Sequence, residues 1–152
     1  MITRRDVLVA LVAAGLTAGG FALAEQGALM HSTAIDWNTI PAKANDSGSV
    51  RTFFRSATPT LKELEVHVTT LDPGKAPHAP HRHPNEELLI IKQGAIEALI
   101  GGEWKKVGPG SVVFFASNEL HGVRNAGNEQ AVYHVIGFKT DQTPEAPPAA
   151  PK

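Results

Sequence analysis

Short apolar or alternating runs, separated by turn residues, make up most of the chain. Residues 64–69 alternate apolar and polar side chains, which is typical of a strand with one buried face. Further β-prone or apolar runs recur at intervals of roughly 8–12 residues, as in sandwiches and barrels. They lie at 50–55, 87–92, 95–100, 104–107, 112–115 and 131–138. The pattern predicts an all-β domain and shows no amphipathic helix.

Two of these predictions concern single segments. Val112–Phe115 contains no polar residue, so we expect a fully buried strand with Phe114 and Phe115 in the core. Thr33–Trp37 could form a short strand that Pro41 ends. We predict an N-terminal arm with the first strands over residues 25–59 and the barrel core over residues 60–138.

Composition narrows the chemistry of any site. The chain has 152 residues, enough for one domain, and 42% of them are hydrophobic. There is no cysteine, which excludes disulfides and thiolate ligands, so a metal would need nitrogen and oxygen ligands. The formal net charge is −1, and we therefore expect no nucleic acid partner.

The first 24 residues have the features of an export signal. Arg4 and Arg5 precede an apolar, glycine-containing stretch, and Ala22-Leu23-Ala24 supplies the small-x-small pattern that a signal peptidase requires. The paired arginines resemble the signal of the twin-arginine route, which exports folded proteins. We expect a periplasmic or secreted protein with no stable membrane insertion after cleavage.

The other end of the chain changes in composition. Residues 139–152 contain four prolines among Ala, Glu and Gln, and such a segment buries too little apolar area to order itself. We predict a disordered Pro/Ala-rich tail there.

Histidines are concentrated in the middle of the chain. Five of the seven lie between His67 and His121. On an extended strand His81, His83 and Glu87 share one face, whereas Glu86 points away, although a bulge at Pro84 could reverse this choice. Two imidazoles and a carboxylate suit a divalent transition metal that keeps open positions.

A fourth ligand could come from His121, which follows a β-prone run and precedes a turn. The alternative is that the histidines form a surface loop without a metal. The remaining histidines leave their roles open: His67 and His134 lie on predicted strands, and His78 lies in a loop. Each of them could line a pocket or simply face solvent.

These segments resemble the two motifs of the cupin superfamily. The first motif is matched by Gly74, His81, His83, Glu87 and Gly94, and the second by Gly110, His121 and Asn125. The gap from Gly74 to His81 is one residue longer than usual. Pro109 is displaced to the position before Gly110, and Ala116 stands where many members have a second proline. These departures leave the four ligand positions intact.

The resemblance implies a cupin jelly-roll barrel, also called a double-stranded β-helix, that binds one metal through His81, His83, Glu87 and His121. Manganese or iron is the first expectation, with zinc, nickel or copper as alternatives. Cupins of the quercetinase kind imply a dioxygenase acting on a small organic molecule, with Glu87 as ligand and catalytic base. A non-catalytic binding protein and a redox-neutral isomerase or hydrolase stay open. The resemblance also implies a homodimer.

Overall fold

The computed structural model describes residues 29–145, and within them the chain forms nine strands and one short 3₁₀ helix. In chain order the helix is Trp37–Thr39 and the strands are β1 (Lys43–Asn45), β2 (Gly48–Ser56), β3 (Glu63–Leu71), β4 (Glu86–Gln93), β5 (Ile96–Ile100), β6 (Glu103–Val107), β7 (Val112–Phe115), β8 (Gly122–Arg124) and β9 (Ala131–Lys139). The predicted signal at 1–24 lies outside the described residues. Of the tail predicted over residues 139–152, Lys139 belongs to β9, residues 140–145 follow it without a further strand, and residues 146–152 lie outside the description. In the part described, no helix is long and apolar enough to cross a membrane.

The strands form two antiparallel sheets. Six strands pair in the order β1-β2-β3-β9-β4-β7, and three pair in the order β6-β5-β8. Side chains from both sheets meet in one core, because the strands alternate inward and outward residues. The core consists of Leu71, Leu89, Ile91, Ile96, Ala98, Val113, Phe115, Val123, Ala131, Tyr133 and Val135. The all-β jelly-roll prediction is confirmed.

β7 differs from its prediction. It is the outer strand of the six-stranded sheet and pairs only with β4. Its inward residues Val113 and Phe115 are buried, whereas Val112 is 59% exposed and Phe114 is 49% exposed. The prediction of a fully buried strand was therefore wrong, and so was the assignment of Phe114 to the core. An unbroken apolar run does not reveal that one face of an edge strand meets solvent.

The N-terminal arm also differs from its prediction. Residues 33–36 form no strand, and the chain turns into the helix Trp37–Thr39 instead. The Asp36 carboxylate accepts a hydrogen bond from the Asn38 backbone N–H at 2.7 Å, and such local bonds compete with strand pairing. Trp37 then lies between the cationic groups of Arg51 and Lys92, at 4.8 and 4.3 Å from its ring centroid. These contacts hold the arm against the outer face of the large sheet.

Candidate metal centre

An isolated antiparallel bridge joins the two histidine-bearing segments. The His81 N–H donates to the His121 carbonyl at 2.9 Å, and the His121 N–H donates to the His81 carbonyl at 3.0 Å. Directly opposed residues in such a pair project their side chains to the same side. The bridge therefore places two imidazoles next to each other, although forty residues separate them in the sequence.

The segment between His81 and β4 is not the extended strand on which the side-chain directions of His81, His83 and Glu87 were predicted. Residues 82–85 form a bent loop, and β4 begins only at Glu86. Pro84 interrupts the extended conformation, and polar contacts hold the loop. The Asn118 N–H donates to the His83 carbonyl at 2.8 Å, and the Ser117 hydroxyl donates to the Pro84 carbonyl at 2.7 Å. The loop thus brings His83 close to the bridged pair without a regular strand.

Three of the four predicted ligands converge. His81, His83 and His121 each offer a ring nitrogen, and these three atoms lie within 4.8 Å of one another. The Glu87 carboxylate lies at the margin of this cluster, with Oε2 3.5 Å from His83 Nε2. Glu87 projects to the same side as the buried residues Leu89 and Ile91 of β4, and Glu86 projects to the other side. The ligand role of Glu87 stays a prediction.

Backbone carbonyls fix the orientation of two rings. Nδ1 of His83 is 2.9 Å from the Asn85 carbonyl, and Nδ1 of His121 is 2.8 Å from the Glu119 carbonyl. A carbonyl can only accept, so each Nδ1 must carry the proton, and each neutral ring therefore has a lone pair at Nε2. These two Nε2 atoms face each other at 3.1 Å. Two lone pairs at this distance repel unless a proton or a metal ion lies between them.

His81 completes the cluster with an unpaired atom. Its Nδ1 is buried and has no hydrogen-bond partner among residues 29–145. Burial, followed by the charges of His78, His121 and His83, lowers the pKa of His81 to about 4. The ring is therefore neutral at physiological pH and keeps a lone pair for a cation.

The pKa values of His83, Glu87 and His121 are shifted by burial and by their neighbours. The hydrogen bond to Glu87 raises the pKa of His83. Burial alone would raise the pKa of Glu87, but the hydrogen bond and charge of His83 lower it below the ordinary value. Burial lowers the pKa of His121, because desolvation disfavours the charged ring. The site thus combines an ionised carboxylate with neutral rings at His81 and His121, whereas Glu87 favours the charged ring of His83.

A cavity of about 290 Å³ opens beside the cluster. His81, Glu87 and His121 form part of its wall, together with His67, His78 and Tyr133. The sequence left the roles of His67 and His78 open. The ring centroids of His78 and His81 lie 4.2 Å apart. His134 lies elsewhere, in a shallow hollow on the outer face of the large sheet, with Phe53 and Val66.

The donor set fits a divalent transition metal. Imidazole nitrogens suit zinc, iron, copper and nickel, and a carboxylate adds affinity for manganese. Metal–nitrogen bonds are about 2.0–2.1 Å long, so two ligands on one ion lie roughly 3 Å apart, as the His83 and His121 Nε2 atoms do. The carbonyls that accept from Nδ1 are the outer partners that metal-binding histidines ordinarily have. Three histidines of this chain could therefore bind a metal.

The fold and the cluster together place the chain among small antiparallel barrels that can hold a metal at one end. Residues 67–137 match the family described as Cupin_2, cupin domain. Residues 67–137 are thereby identified as a cupin domain, and the resemblance of the two motifs is confirmed. No match to the sequence was found among curated proteins.

Solved structures with the same fold belong to proteins whose names indicate different functions. The Cupin_2 domain of an XRE family transcriptional regulator from Enterobacter cloacae is 26% identical, with a TM-score of 0.50 over 61% of this chain and 96% of that chain. The polyketide cyclase RemF from Streptomyces resistomycificus is 17% identical, with a TM-score of 0.58 over 78% and 83% of the two chains. KdgF from Halomonas sp. is 18% identical, with a TM-score of 0.57 over 73% and 97%. The latter two identities support the fold alone, and a fold hosts many activities.

Proposed function

We propose that the protein binds one divalent transition metal through His81, His83 and His121, with Glu87 as the fourth ligand, and acts as an enzyme on a small organic molecule. The observation that carries the proposal is the pair of Nε2 atoms that face each other at 3.1 Å, on rings that carbonyl contacts hold in place. A cation shared by these two atoms would form a bond with each. Manganese or iron is the proposed ion, with zinc, nickel and copper as alternatives.

The cavity supports an enzyme that acts on a small molecule. A space of about 290 Å³ lies at the small end of the range for ligand pockets. A metal in the cluster would face this space, because His81, Glu87 and His121 belong to both the cluster and the cavity wall. When bound, a redox-active ion would supply electron transfer to dioxygen, and zinc would supply charge alone. Glu87 would hold the ion and could accept a proton from the ligand.

The candidate reaction is dioxygenation, following the resemblance to quercetinase-like cupins. A redox-neutral reaction is the second candidate, and one observation favours it. Glu65 and His67 form a second carboxylate–imidazole pair, the imidazole of which lines the cavity and could transfer protons without any oxidant. Oxygen uptake with a series of phenols separates the two. Turnover of a phenol without oxygen consumption would reject the dioxygenase.

Metal content tests the proposal directly. Protein purified without added chelator should contain about one transition metal ion per chain, measured by plasma mass spectrometry. His83→Ala should lose this ion, whereas the matched change His134→Ala, on the outer face of the sheet, should keep it. Equal metal content in wild type and His83→Ala would contradict the proposed site.

We further propose that residues 1–24 export the protein to the periplasm or beyond it, as the paired arginines suggest. Changing both Arg4 and Arg5 to Lys should leave the mature protein absent from the periplasmic fraction. Normal export of this variant would mean that Arg4 and Arg5 are only the basic start of an ordinary signal peptide.

We also propose a homodimer that forms through the outer face of β4 and β7, because the aromatic residues of the N-terminal arm are covered within their own chain. Phe53 of the arm segment packs against Trp37 of its own chain, with ring centroids 6.1 Å apart. The exposed apolar residues Ile90, Val112 and Phe114 lie on β4 and on the edge strand β7, where a second copy could cover them. Light scattering at micromolar concentration should give twice the monomer mass. The expectation of no nucleic acid partner stays a prediction.

A further inference from the structure

Strand β3 carries a carboxylate–imidazole pair that is separate from the histidine cluster. Glu65 and His67 are two residues apart, so both side chains project from the same face of the strand. The carboxylate oxygen Oε1 of Glu65 lies 3.1 Å from Nδ1 of His67. His67 pairs with the buried Val135 of β9, which places its ring on the inner face of the sheet.

The carboxylate of this pair is anchored from behind. Its other oxygen, Oε2, lies 3.8 Å from Nε of Arg55, and Arg55 also binds Glu63 at 2.8 Å. Lys139 pairs with Glu63 at 2.9 Å on the far side. Glu65 therefore has a cationic neighbour that is itself paired with Glu63.

The imidazole of the pair reaches the cavity, because His67 forms part of its wall together with His81, Glu87 and His121. A carboxylate accepts hydrogen bonds, so it selects the ring form with the proton on Nδ1. In the neutral ring, Nε2 is then left as a proton acceptor. A base whose second nitrogen is oriented by a carboxylate is a recurrent arrangement for proton transfer.

We propose that Glu65 and His67 form a proton-accepting dyad for the ligand of this cavity, and that the ligand is a small phenol or enol without a phosphate group. This inference rests on the proposed metal site, because the ligand must be held beside the dyad while it loses its proton.

The lining of the cavity supports this class of ligand. Among the described residues that line it there is no lysine or arginine. Phosphates and dicarboxylates are ordinarily bound by such side chains in addition to any metal ion, so the cavity suits a ligand that arrives uncharged. Neutral groups, including those of Asn45, Thr69 and Tyr133, alternate with apolar surface from Val50 and Val135. An uncharged ring or enol with hydroxyl groups matches this mixed wall.

The proposed step is a single proton transfer. The ligand O–H bond breaks, its electron pair stays on the ligand oxygen, and the proton goes to Nε2 of His67. The imidazolium formed is stabilised by the Glu65 carboxylate at Nδ1, and its charge balances the ligand oxyanion. The step needs no oxidant or further reactant. Glu65 acts through His67 and is therefore a positioning residue.

Calorimetric titration of the zinc-loaded protein with catechol tests the dyad. Catechol carries two adjacent phenol hydroxyls, and near pH 8 both the phenol and an ordinary imidazole are mostly uncharged. Titrations in buffers of different ionisation enthalpy count the protons released to solvent. Wild type should release fewer protons than His67→Gln, with a difference approaching about one, because His67 retains the ligand's proton. Glu65→Gln should fall between them, since the imidazolium loses its anionic partner.

Two controls separate this proposal from the metal site. Zinc content should be equal in wild type, His67→Gln and Glu65→Gln, and His134→Gln, on the opposite face of the sheet, should release as few protons as wild type. Equal proton release by wild type and both dyad variants, at equal zinc content, would overturn the dyad and leave Glu87 as the acceptor. Failure of the zinc-loaded protein to bind catechol would overturn the ligand class. Failure of wild type to hold zinc would refute the metal site, and the dyad proposal would fall with it.

Discussion

Replacing His83 by Ala should abolish the response of protein stability to metal while changing the stability of the metal-free protein little. An ion that binds only the folded state, at a free concentration of about 100 times its dissociation constant, adds roughly 2.7 kcal/mol to the free energy of unfolding. For a domain of this size each kcal/mol raises the melting temperature by about 4 °C. The wild type should therefore melt about 10 °C higher with metal than with chelator.

In the metal-free protein, the stability that each alanine variant loses depends on where the removed ring lies. The His83 side chain is 19% exposed and lies on a loop, so its loss should cost about 1 kcal/mol or less. His121 is 2% exposed, and its ring stacks on Phe115 with centroids 4.4 Å apart. His121→Ala should leave a cavity against the core and cost about 2–3 kcal/mol even without metal. The two variants thus separate metal binding from packing.

Thermal and urea unfolding should be measured with zinc and with chelator for wild type, both variants and His134→Ala. His134 is the matched control because it is a histidine on the outer face of the large sheet and does not line the cavity. The control should keep the metal-dependent shift in full. If His83→Ala also keeps a shift near 10 °C, the opposed Nε2 atoms do not hold the ion, and our interpretation of the cluster is wrong.

Two further predictions concern stability. Burial alone would raise the pKa of Glu63, but hydrogen bonds from Arg55 and Lys139 lower it below 4.5. The ionised carboxylate therefore stabilises the fold at neutral pH, and this contribution is lost as the pH falls through the pKa that Glu63 has in the folded protein. Glu63→Gln should therefore cost about 1 kcal/mol in urea unfolding at pH 7 and less in acid; an equal cost at both would exclude this cause. Gly94→Ala should cost about 1–3 kcal/mol, because φ is +68° and the added Cβ would overlap the Gln130 carbonyl, and an unchanged urea midpoint would show that this turn relaxes freely.

The sequence motifs correctly predicted which histidines form the cluster, but not the backbone conformation between them. The assumption of an extended strand placed His81, His83 and Glu87 on one face. Residues 82–85 form a loop instead, so these residues lie close together, but not in the conformation that was assumed. The position of His121 depends on a backbone bridge across forty residues, which no local pattern encodes. The motif resemblance supplied that long-range information.

Alternation along β3 shows why the second pair was missed. The pattern of residues 64–69 correctly predicts a strand with one apolar and one polar face, and a polar face ordinarily meets solvent. Here the apolar side chains of Val66 and Val68 lie on the outer side, where Val66 meets the arm residue Ile35. The polar side chains of Glu65 and His67 lie on the inner side. Sequence alternation fixes which residues share a face, but only the sheet order and the arm decide which face is interior.

The polar side chains on the inner face of β3 reduce the stability of the fold, and this bears on function. Polar groups inside a barrel cost stability unless they are hydrogen-bonded, and an apolar interior would fold more readily. At the other end of the barrel the interior is indeed apolar, with Leu71, Leu89 and Ile91 almost fully buried. At the cavity end the chain instead places ionisable groups on facing strands, and Thr69 bonds the buried Tyr133 hydroxyl among them. Departures from the stable pattern that are confined to one cavity are characteristic of functional sites.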